Sequence, residues 1–476
     1  MLLGPTHYYY SKLAEEQEQD PPADAKVEGM LVSGVRLPNV TDYFLWDVHI
    51  GPNNAIDSII PRSHPPAPEP PPPVLLPSLC HPHIHLDKPF LLTSHLDQYA
   101  DLAPHDGSFE EALRNTAIAK TRYTDEDLLQ RGSQLILESV KAGVTSMRAF
   151  VEVDHVTLHR CLKVATELKV RFATVCHIQI CAFAQDPIFS GEHGEENRKL
   201  MEIALGQFST VIDCLGSTPY VEDSHENAVK NIHWAIENAA IYKIHLDFHL
   251  DYNVDRNQNA TVWDVLKLLR GAQWNTNNPG KTIALGHCTR HTLFTKDELS
   301  RLSFEINDTK LPISLIGLPT SDLYMQGRPT AATADPHNRP RATLQVPALI
   351  TDYGLNAALG INNVGNAFTP FGSPDPLQLA SWGVGIYQAG TDRDAQVLYE
   401  CVSTRARRAI GLEAWDADAS VTIQTGQHVP YGLMLVRNEK SVSFAGMEVV
   451  ARQRKEVRDV VWDVPGRELR EVVRGS

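Results

Sequence analysis

The sequence lacks the patterns that mark several large protein classes. Its seven cysteines are scattered and never form a C-x-x-C pair, which argues against a disulfide framework and against a thiolate zinc site. No apolar run is long enough to span a bilayer, and no basic and then apolar leader opens the chain, so we expect a cytoplasmic protein without a membrane partner. Basic residues are also few, 43 against 58 acidic, and the net charge is -15. Nucleic acid is therefore not an expected partner.

The middle of the chain alternates between helical and strand-like segments. The helical pattern LLQRGSQLILESVKAG precedes the apolar run VTSMRAFVEVD, and HENAVKNIHWAIENAAIY precedes KIHLDFHL. Repeated helix-then-strand units predict an α/β fold with a parallel sheet, and their number over residues 78–412 fits a closed (β/α)8 TIM barrel. An open doubly wound sheet is the alternative, although no G-x-G-x-x-G sequence opens any of these helices.

Both ends of the chain differ in composition from this middle part. Residues 1–27 are polar and acidic, which predicts a disordered tail. Short alternating runs over residues 28–61 and 413–476 predict a small flanking β-sandwich built from both chain ends. The predicted C-terminal strands lie in VTIQTG, GLMLVRN, SVSFAG, MEVVARQ and EVRDVVWDV. Residues 62–77 are rich in proline, and we expect them to form a stiff polyproline II linker.

A histidine-rich segment, CHPHIHLDKPF, opens the predicted barrel. Alternate side chains of a strand share one face, so His81, His83 and His85 are predicted to project into the same space. The segment KIHLDFHLDY alternates in the same way and carries His249. Because a barrel brings the C-terminal ends of its strands to one rim, we predict that His83, His85 and His249 bind one divalent metal ion, zinc or iron. A hydrogen-bonded cluster without metal is the alternative.

The order of seven motifs carries a resemblance to a known family. PHIHLD, AFAQD, GSTPY, IHLDFHLDY, ALGHCT, LPTSDLYMQGR and GINNVGNAFTPFGSPDPLQ together resemble the cytosine deaminase-like branch of the amidohydrolase superfamily, from about residue 28 to the C-terminus. The resemblance implies that the three histidines are metal ligands and that His287 contacts the activated water and the reacting group. It also implies that the Gln185 amide reads the edge of a planar nitrogen heterocycle. Phe368 is a further predicted substrate contact.

The sequence departs from this family pattern at functional positions. The family has a glutamate three residues after the strand-5 histidine, and this chain has Tyr252. The family's fourth ligand and base is an aspartate at the end of strand 8, and this chain has Asn362, followed by Asn363 in place of an acidic substrate-binding residue. An amide oxygen can bind a metal but cannot take up the proton. We therefore predict Asn362 as the fourth metal ligand, Asn363 as a substrate contact, and His287, Asp251 and Tyr252 as the catalytic groups.

Two functions follow from these residues. The first is a metal-dependent hydrolase that acts, through metal-activated water, on a non-peptide C–N bond of a small nitrogen heterocycle or amide, as a deaminase or cyclic amidase does. The second is a degenerate amidohydrolase that binds a small ligand without catalysis, because loss of a general acid or base costs ~10²–10⁴ in rate. Both have a small molecule as partner, and association into a homo-oligomer is left open.

Overall fold

The computed structural model describes residues 29–38, 44–62, 70–93, 97–328 and 340–475. The strands in chain order are β1 (Met30–Val35), β2 (Leu45–Ile50), β3 (Ile56–Arg62), β4 (Val74–Pro77), β5 (Leu79–His85), β6 (Val144–Glu152), β7 (His177–Ala184), β8 (Ile212–Ser217), β9 (His245–Leu250), β10 (Ile283–His287), β11 (Ile313–Gly317), β12 (Ala357–Leu359), β13 (Leu433–Val436), β14 (Val442–Phe444), β15 (Met447–Val449) and β16 (Arg470–Val473). The predicted disordered tail lies outside the described residues.

The helices alternate with the strands over the middle of the chain. The α-helices are Phe109–Lys120, Asp125–Lys141, Arg160–Arg171, Gly194–Gln207, His225–Tyr242, Val262–Gly271, Trp274–Asn277, Lys296–Asp308, Pro319–Met325, Val346–Thr351, Pro376–Ile386, Asp392–Cys401, Thr404–Ala409 and Val457–Trp462. Short 3-10 helices occupy Asp97–Leu102, Pro219–Val221, Thr289–Leu293 and Arg467–Leu469. Across the described segments, no helix combines the length and the apolar character that a membrane crossing needs.

Strands β5 to β12 form one parallel sheet that closes on itself. Neighbours in the sheet follow the chain order from β5 to β12. The two edges meet where Asn362 N donates to His83 O at 3.1 Å and His85 N donates to Asn362 O at 2.9 Å. This closure confirms the predicted (β/α)8 TIM barrel. It also brings Asn362, which follows β12 in the chain, next to the H-x-H segment of β5.

Local sequence explains how one helix returns the chain to the barrel. Helix Asp125–Lys141 begins after Thr124, whose side chain accepts a hydrogen bond from Asp127 N. One face of the helix is buried through Leu128, Leu135 and Ile136. After the helix, Gly143 has φ +97° and lies so close to Met434 that an added Cβ would be 2.4 Å from its sulfur. Only glycine fits this turn into β6.

The barrel interior is filled in layers below the His83–His249 level. In one of these, Arg148 Nη1 pairs with Asp247 Oδ2 at 3.0 Å, and both side chains are fully buried. Arg148 also donates to Gln179 Oε1 at 3.2 Å and to the Ile410 carbonyl oxygen at 3.2 Å, so the buried guanidinium has several acceptors, as a buried charge requires. Phe150, Cys181, Phe183 and Cys214 form a buried apolar cluster in the same interior. His85 and His249, in contrast, line a cavity.

A small β-sandwich flanks the barrel and is built from both ends of the described chain. Strands β1 to β3 form one antiparallel sheet, and β16, β13 and β4 form a second. The two sheets share a core that includes Val48, Ile50, Leu75 and Leu435. This arrangement confirms the predicted sandwich. Strand β4 falls at the end of the segment predicted as a proline-rich linker. Val74–Pro77 is fully buried and pairs with β13, so these four residues belong to the second sheet.

The C-terminal segments differ in part from their predicted structure. Predicted strands in GLMLVRN, SVSFAG and MEVVARQ are confirmed as β13, β14 and β15. The predicted strand in EVRDVVWDV is wrong, because Val457–Trp462 is a helix. Its buried residues Val457, Val460 and Val461 are three and four positions apart, so this helical spacing outweighs the preference of valine for strands. The segment VTIQTG carries no strand.

Candidate active site

Three histidine side chains meet at the C-terminal rim of the barrel. His83 and His85 come from the end of β5, and His249 comes from β9. His249 Nε2 lies 3.1 Å from His83 Nε2 and 3.3 Å from His85 Nε2. Two imidazole nitrogens that bind one tetrahedral zinc ion at about 2.05 Å are about 3.3 Å apart. The three side chains are therefore placed to share one metal ion.

The hydrogen-bonding capacity of these rings also favours a cation. Burial lowers the pKa of His83, His85 and His249 well below the ordinary value, so the rings are neutral. A neutral ring nitrogen either donates one proton or offers one lone pair, so His249 Nε2 cannot satisfy both of the nitrogens that face it. A metal ion accepts all three lone pairs at once. The donor set therefore fits a divalent metal better than a metal-free cluster.

Aromatic rings and glycines shape the space around the three histidines. The His83 ring stacks on Phe150, with centroids 4.1 Å apart. A Cβ added at Gly286 would lie 3.1 Å from His83 Cε1, and one at Gly360 would lie 3.1 Å from the His83 carbonyl oxygen. Larger residues at these two positions would displace the His83 ring. The glycines of ALGHC and ALGINN thus make room for the site.

The prediction that His81 shares this space is wrong. His81 Nε2 instead lies 3.1 Å from Ser139 Oγ, on helix Asp125–Lys141. The pairing of β5 with β6 shifts register between His81 and Ile84. Such a bulge interrupts the alternation of side chains, so His81 and His83 project to different faces.

Asn362 lies beside the three histidines, at the predicted position of the fourth ligand. Its Nδ2 donates to Ser321 Oγ at 2.9 Å, while its Oδ1 is buried and has no hydrogen-bond partner among the described residues. Burial lowers the pKa of His83 and His85, and the Asn362 side chain acts in the opposite direction. This free amide oxygen is available to a metal ion.

His287 is held in one orientation by a carboxylate that we did not predict as part of the site. His287 Nδ1 donates to Asp322 Oδ1 at 2.8 Å, and Asp322 Oδ2 accepts from Thr343 Oγ1 at 2.8 Å. Because a carboxylate can only accept, the ring carries its proton on Nδ1 and offers a lone pair at Nε2. Asp322 is the one acidic residue of the LPTSDLYMQGR motif, which is the signal that could have identified it.

The two other predicted catalytic residues lie in different places. Tyr252 lines the cavity, and its ring centroid is 4.1 Å from that of His287. Asp251 does not line the cavity. It has φ +50°, and its carboxylate accepts hydrogen bonds from Thr261 N at 2.7 Å and from His291 Nε2 at 2.8 Å. These bonds engage the Asp251 carboxylate in local structure.

A cavity lies above the histidines. The residues that line it are His85, Lys88, Phe109, Gln185, Tyr220, His249, Tyr252, His287, Ser321, Asn362, Asn363 and Phe368. All three predicted substrate contacts are among them. Lys88 was missed, although a lysine next to the H-x-H-x-D motif in a buried segment is a visible signal. Tyr220 lies in the GSTPY motif but was not predicted as part of the site, and Phe109 carries no sequence signal because only the folded chain brings it to the cavity.

Comparisons with known proteins agree with this geometry. No protein-family model matches the chain. The N-isopropylammelide isopropyl amidohydrolase of Pseudomonas sp. (strain ADP) is 22% identical over 333 residues, which cover 70% of this chain and 73% of that protein. The crystal structure of 5-methylcytosine deaminase from Klebsiella pneumoniae matches with a TM-score of 0.72 and 20% identity, over 94% of this chain and 96% of that one. An adenosine deaminase from Xanthomonas campestris with bound zinc matches with a TM-score of 0.59 and 14% identity, over 94% and 91% of the two chains. The structures share the fold, and the resemblance to amidohydrolases is confirmed.

Proposed function

We propose that this chain is a metal-dependent hydrolase of a non-peptide C–N bond in a small nitrogen heterocycle or amide. The observation that carries the proposal is the convergence of the His83, His85 and His249 Nε2 atoms below a cavity that also contains His287 and Gln185. The similarity to an amidohydrolase and to deaminases supports the same class of reaction.

Several polar groups in and below the cavity have a role in this reaction. His83, His85 and His249 would hold the metal, with the Asn362 amide oxygen as a fourth, neutral ligand. When bound, a divalent metal supplies a Lewis acid and an activated water. His287 takes up and returns protons at Nε2, because Asp322 holds its Nδ1. Gln185 orients the substrate.

The walls of the cavity favour a flat substrate. The Phe109 ring lies 5.8 Å from Tyr252 and 6.0 Å from Phe368, and Tyr220 lies 5.6 Å from Tyr252, measured between ring centroids. Aromatic walls pack well against a planar ring. Tyr220 lines the same cavity as Gln185, whose amide would read the ring edge.

One observation favours a second function, the binding of a ligand without catalysis. The cavity lining contains no carboxylate in the described part of the chain. Tyr252 and Asn362 stand where the resembling family has carboxylates. If His287 cannot replace those groups, the site holds a ligand and releases it unchanged.

Metal analysis and a substrate panel separate the two functions. The full-length protein is analysed for zinc and iron, and ammonia release and ultraviolet spectra are followed with aminopyrimidines, cyclic ureas and lactams. Stoichiometric metal with turnover supports the hydrolase, and turnover should be lost in His287→Gln. His233→Gln is a matched control, because His233 is half exposed on helix His225–Tyr242 and should leave turnover unchanged. Metal-free protein without turnover on the whole panel would support ligand binding alone.

A further inference from the structure

The charge of the cavity lining points to the class of ligand. Lys88 is the one residue with a charged side chain on the lining, histidines aside, among the residues that the structure describes. Its side chain is almost fully buried and lies with Nζ 5.6 Å from the centroid of the Phe368 ring. Burial of an ammonium group is costly unless hydrogen-bond acceptors surround it. The neighbours of Lys88 therefore indicate how many hydrogen-bond acceptors a ligand would have to supply.

Within the described structure, Lys88 Nζ has one hydrogen-bond acceptor, Glu152 Oε1. Glu152 is shared, because its second oxygen pairs with Lys120. An ammonium group has three N–H donors, so two donors of Lys88 remain for a group in the cavity. Charge-assisted donors bind anionic oxygens most strongly.

A second donor lies on the same wall. Asn363 Oδ1 accepts from Asn366 Nδ2 at 2.8 Å, which leaves the Asn363 amide nitrogen as its free donor. Asn366 Nδ2 also donates to the Lys88 carbonyl oxygen at 3.0 Å, so one amide ties Asn363 to the Lys88 backbone. An aspartate at position 363 would have offered acceptors only. This wall thus presents donors from Lys88 and Asn363 to the ligand.

We infer that the cavity binds a planar, oxo-rich nitrogen heterocycle as its anion, with a negatively charged oxygen edge on Lys88 and Asn363. The aromatic walls hold the ring, and the Lys88 ammonium neutralises its charge. An amino-rich neutral heterocycle would instead place donors against donors on this wall. The inference adopts the cavity of the proposed function, but it concerns binding and does not require turnover.

Equilibrium binding measured by calorimetry tests this inference. Barbiturate is a six-membered oxo-heterocycle that is anionic at neutral pH, uracil is the uncharged ring with one oxo group fewer, and cytosine carries an amino group. With the full-length protein in added zinc, we expect barbiturate to bind at least about ten-fold more tightly than uracil or cytosine. Equal affinity for barbiturate and uracil, or no binding of barbiturate, would overturn the inference.

Variants at Lys88 locate the source of the preference. In Lys88→Met, the preference for barbiturate over uracil should fall below about three-fold, because the charge-assisted donors are gone. The double variant Lys88→Met with Glu152→Gln removes both charges of the ion pair, and its preference should fall as in Lys88→Met. It shows whether an effect of the single variant comes from the lost ammonium or from a folding defect caused by the unpaired Glu152. Lys199→Met is the control, because Lys199 is exposed and pairs with Glu195. A preference that survives in the double variant would assign the anion to another group.

The outcome is separable from that of the proposed function. Tight barbiturate binding without turnover of any heterocycle supports this inference and counts against the hydrolase. Turnover of aminopyrimidines by a protein that binds barbiturate and uracil equally supports the hydrolase and overturns this inference.

Discussion

Replacement of Asn362 by aspartate tests the metal site most directly. The Asn362 side chain is buried beside His83 and His85, and its Oδ1 has no hydrogen-bond partner among the described residues. Asn362→Asp keeps the shape of the side chain and adds one negative charge. The other oxygen of the new carboxylate would face Ser321, whose hydroxyl is 2.6 Å from Thr369 Oγ1 and can turn to donate. The variant should therefore fold without a steric conflict.

The expected change in stability has opposite signs with and without metal. Without metal, the new carboxylate lies among neutral rings, and an uncompensated buried charge costs about 3–5 kcal/mol. With metal, the same charge is an anionic ligand to a divalent cation. We expect the affinity for zinc to rise at least about ten-fold, which adds about 1.4 kcal/mol or more to the stabilisation that zinc gives the folded chain.

Chelator competition and denaturant unfolding measure these two quantities. Zinc retention is measured against a chelator of known affinity, and the free energy of unfolding is measured with and without zinc. Asn363→Asp is the matched control, because it places the same charge one residue away, where the amide oxygen contacts Asn366 and not the histidines. Weaker zinc retention in Asn362→Asp, or an equal gain in both variants, would refute coordination by residue 362.

Three further predictions concern neighbouring groups. His83→Ala and His249→Ala should each lose the bound metal, and unchanged metal content in both by elemental analysis would mean that the site lies elsewhere. Asp322→Asn should lower kcat/KM about 10–100-fold through loss of the His287 orientation, and a shifted pH profile would distinguish this role from a structural one. For Asp251, burial raises the pKa, but hydrogen bonds from His291 and Thr261 outweigh it and hold the pKa below the ordinary value. Its stabilising contribution is therefore full above the unfolded pKa of about 3.9 and is lost as the pH falls through the lower folded pKa. Asp251→Asn should thus lose stability at pH 7, and the loss should shrink toward pH 3; a loss that is constant in urea unfolding at both pH values would contradict this.

The convergence of His83, His85 and His249 could be predicted from sequence because it depends on two regular features. Residues two apart on a strand share a face, which pairs His83 with His85. The C-terminal ends of parallel barrel strands meet at one rim, which brings His249 to them. His81 obeys the same spacing and still points elsewhere, because the bulge after it depends on pairing with β6, which the sequence of β5 does not contain.

The acidic partner of the site could not be chosen from sequence. Asp251 directly follows the strand that carries His249, but the left-handed conformation of Asp251 turns its side chain toward Thr261 and His291. Asp322 is 35 positions from His287 and reaches it only because helix Pro319–Met325 follows the adjacent strand β11. Proximity in sequence favoured Asp251, whereas contacts between neighbouring strands bring Asp322 to the His287 ring.

In the flanking sandwich, too, the sequence predicted some elements and missed others. Its strands come from both chain ends, which composition and alternation predict. The helix Val457–Trp462 was missed because a segment rich in valine satisfies the spacing of a strand and of a helix over so few residues. Its burial against helix Asp392–Cys401 is a long-range contact that decides between the two.

The missing carboxylates and the buried lysine describe one change in the chemistry of the cavity. Where the resembling family has acids, the described lining has Tyr252, Asn362 and Asn363, and its fixed charge is Lys88. A carboxylate is still present, but Asp322 lies behind His287, so the group that meets the ligand is an imidazole lone pair. Such a site favours acidic rings over cationic or donor-rich rings. An anionic ring supplies the negative charge that carboxylates on the cavity lining would otherwise provide.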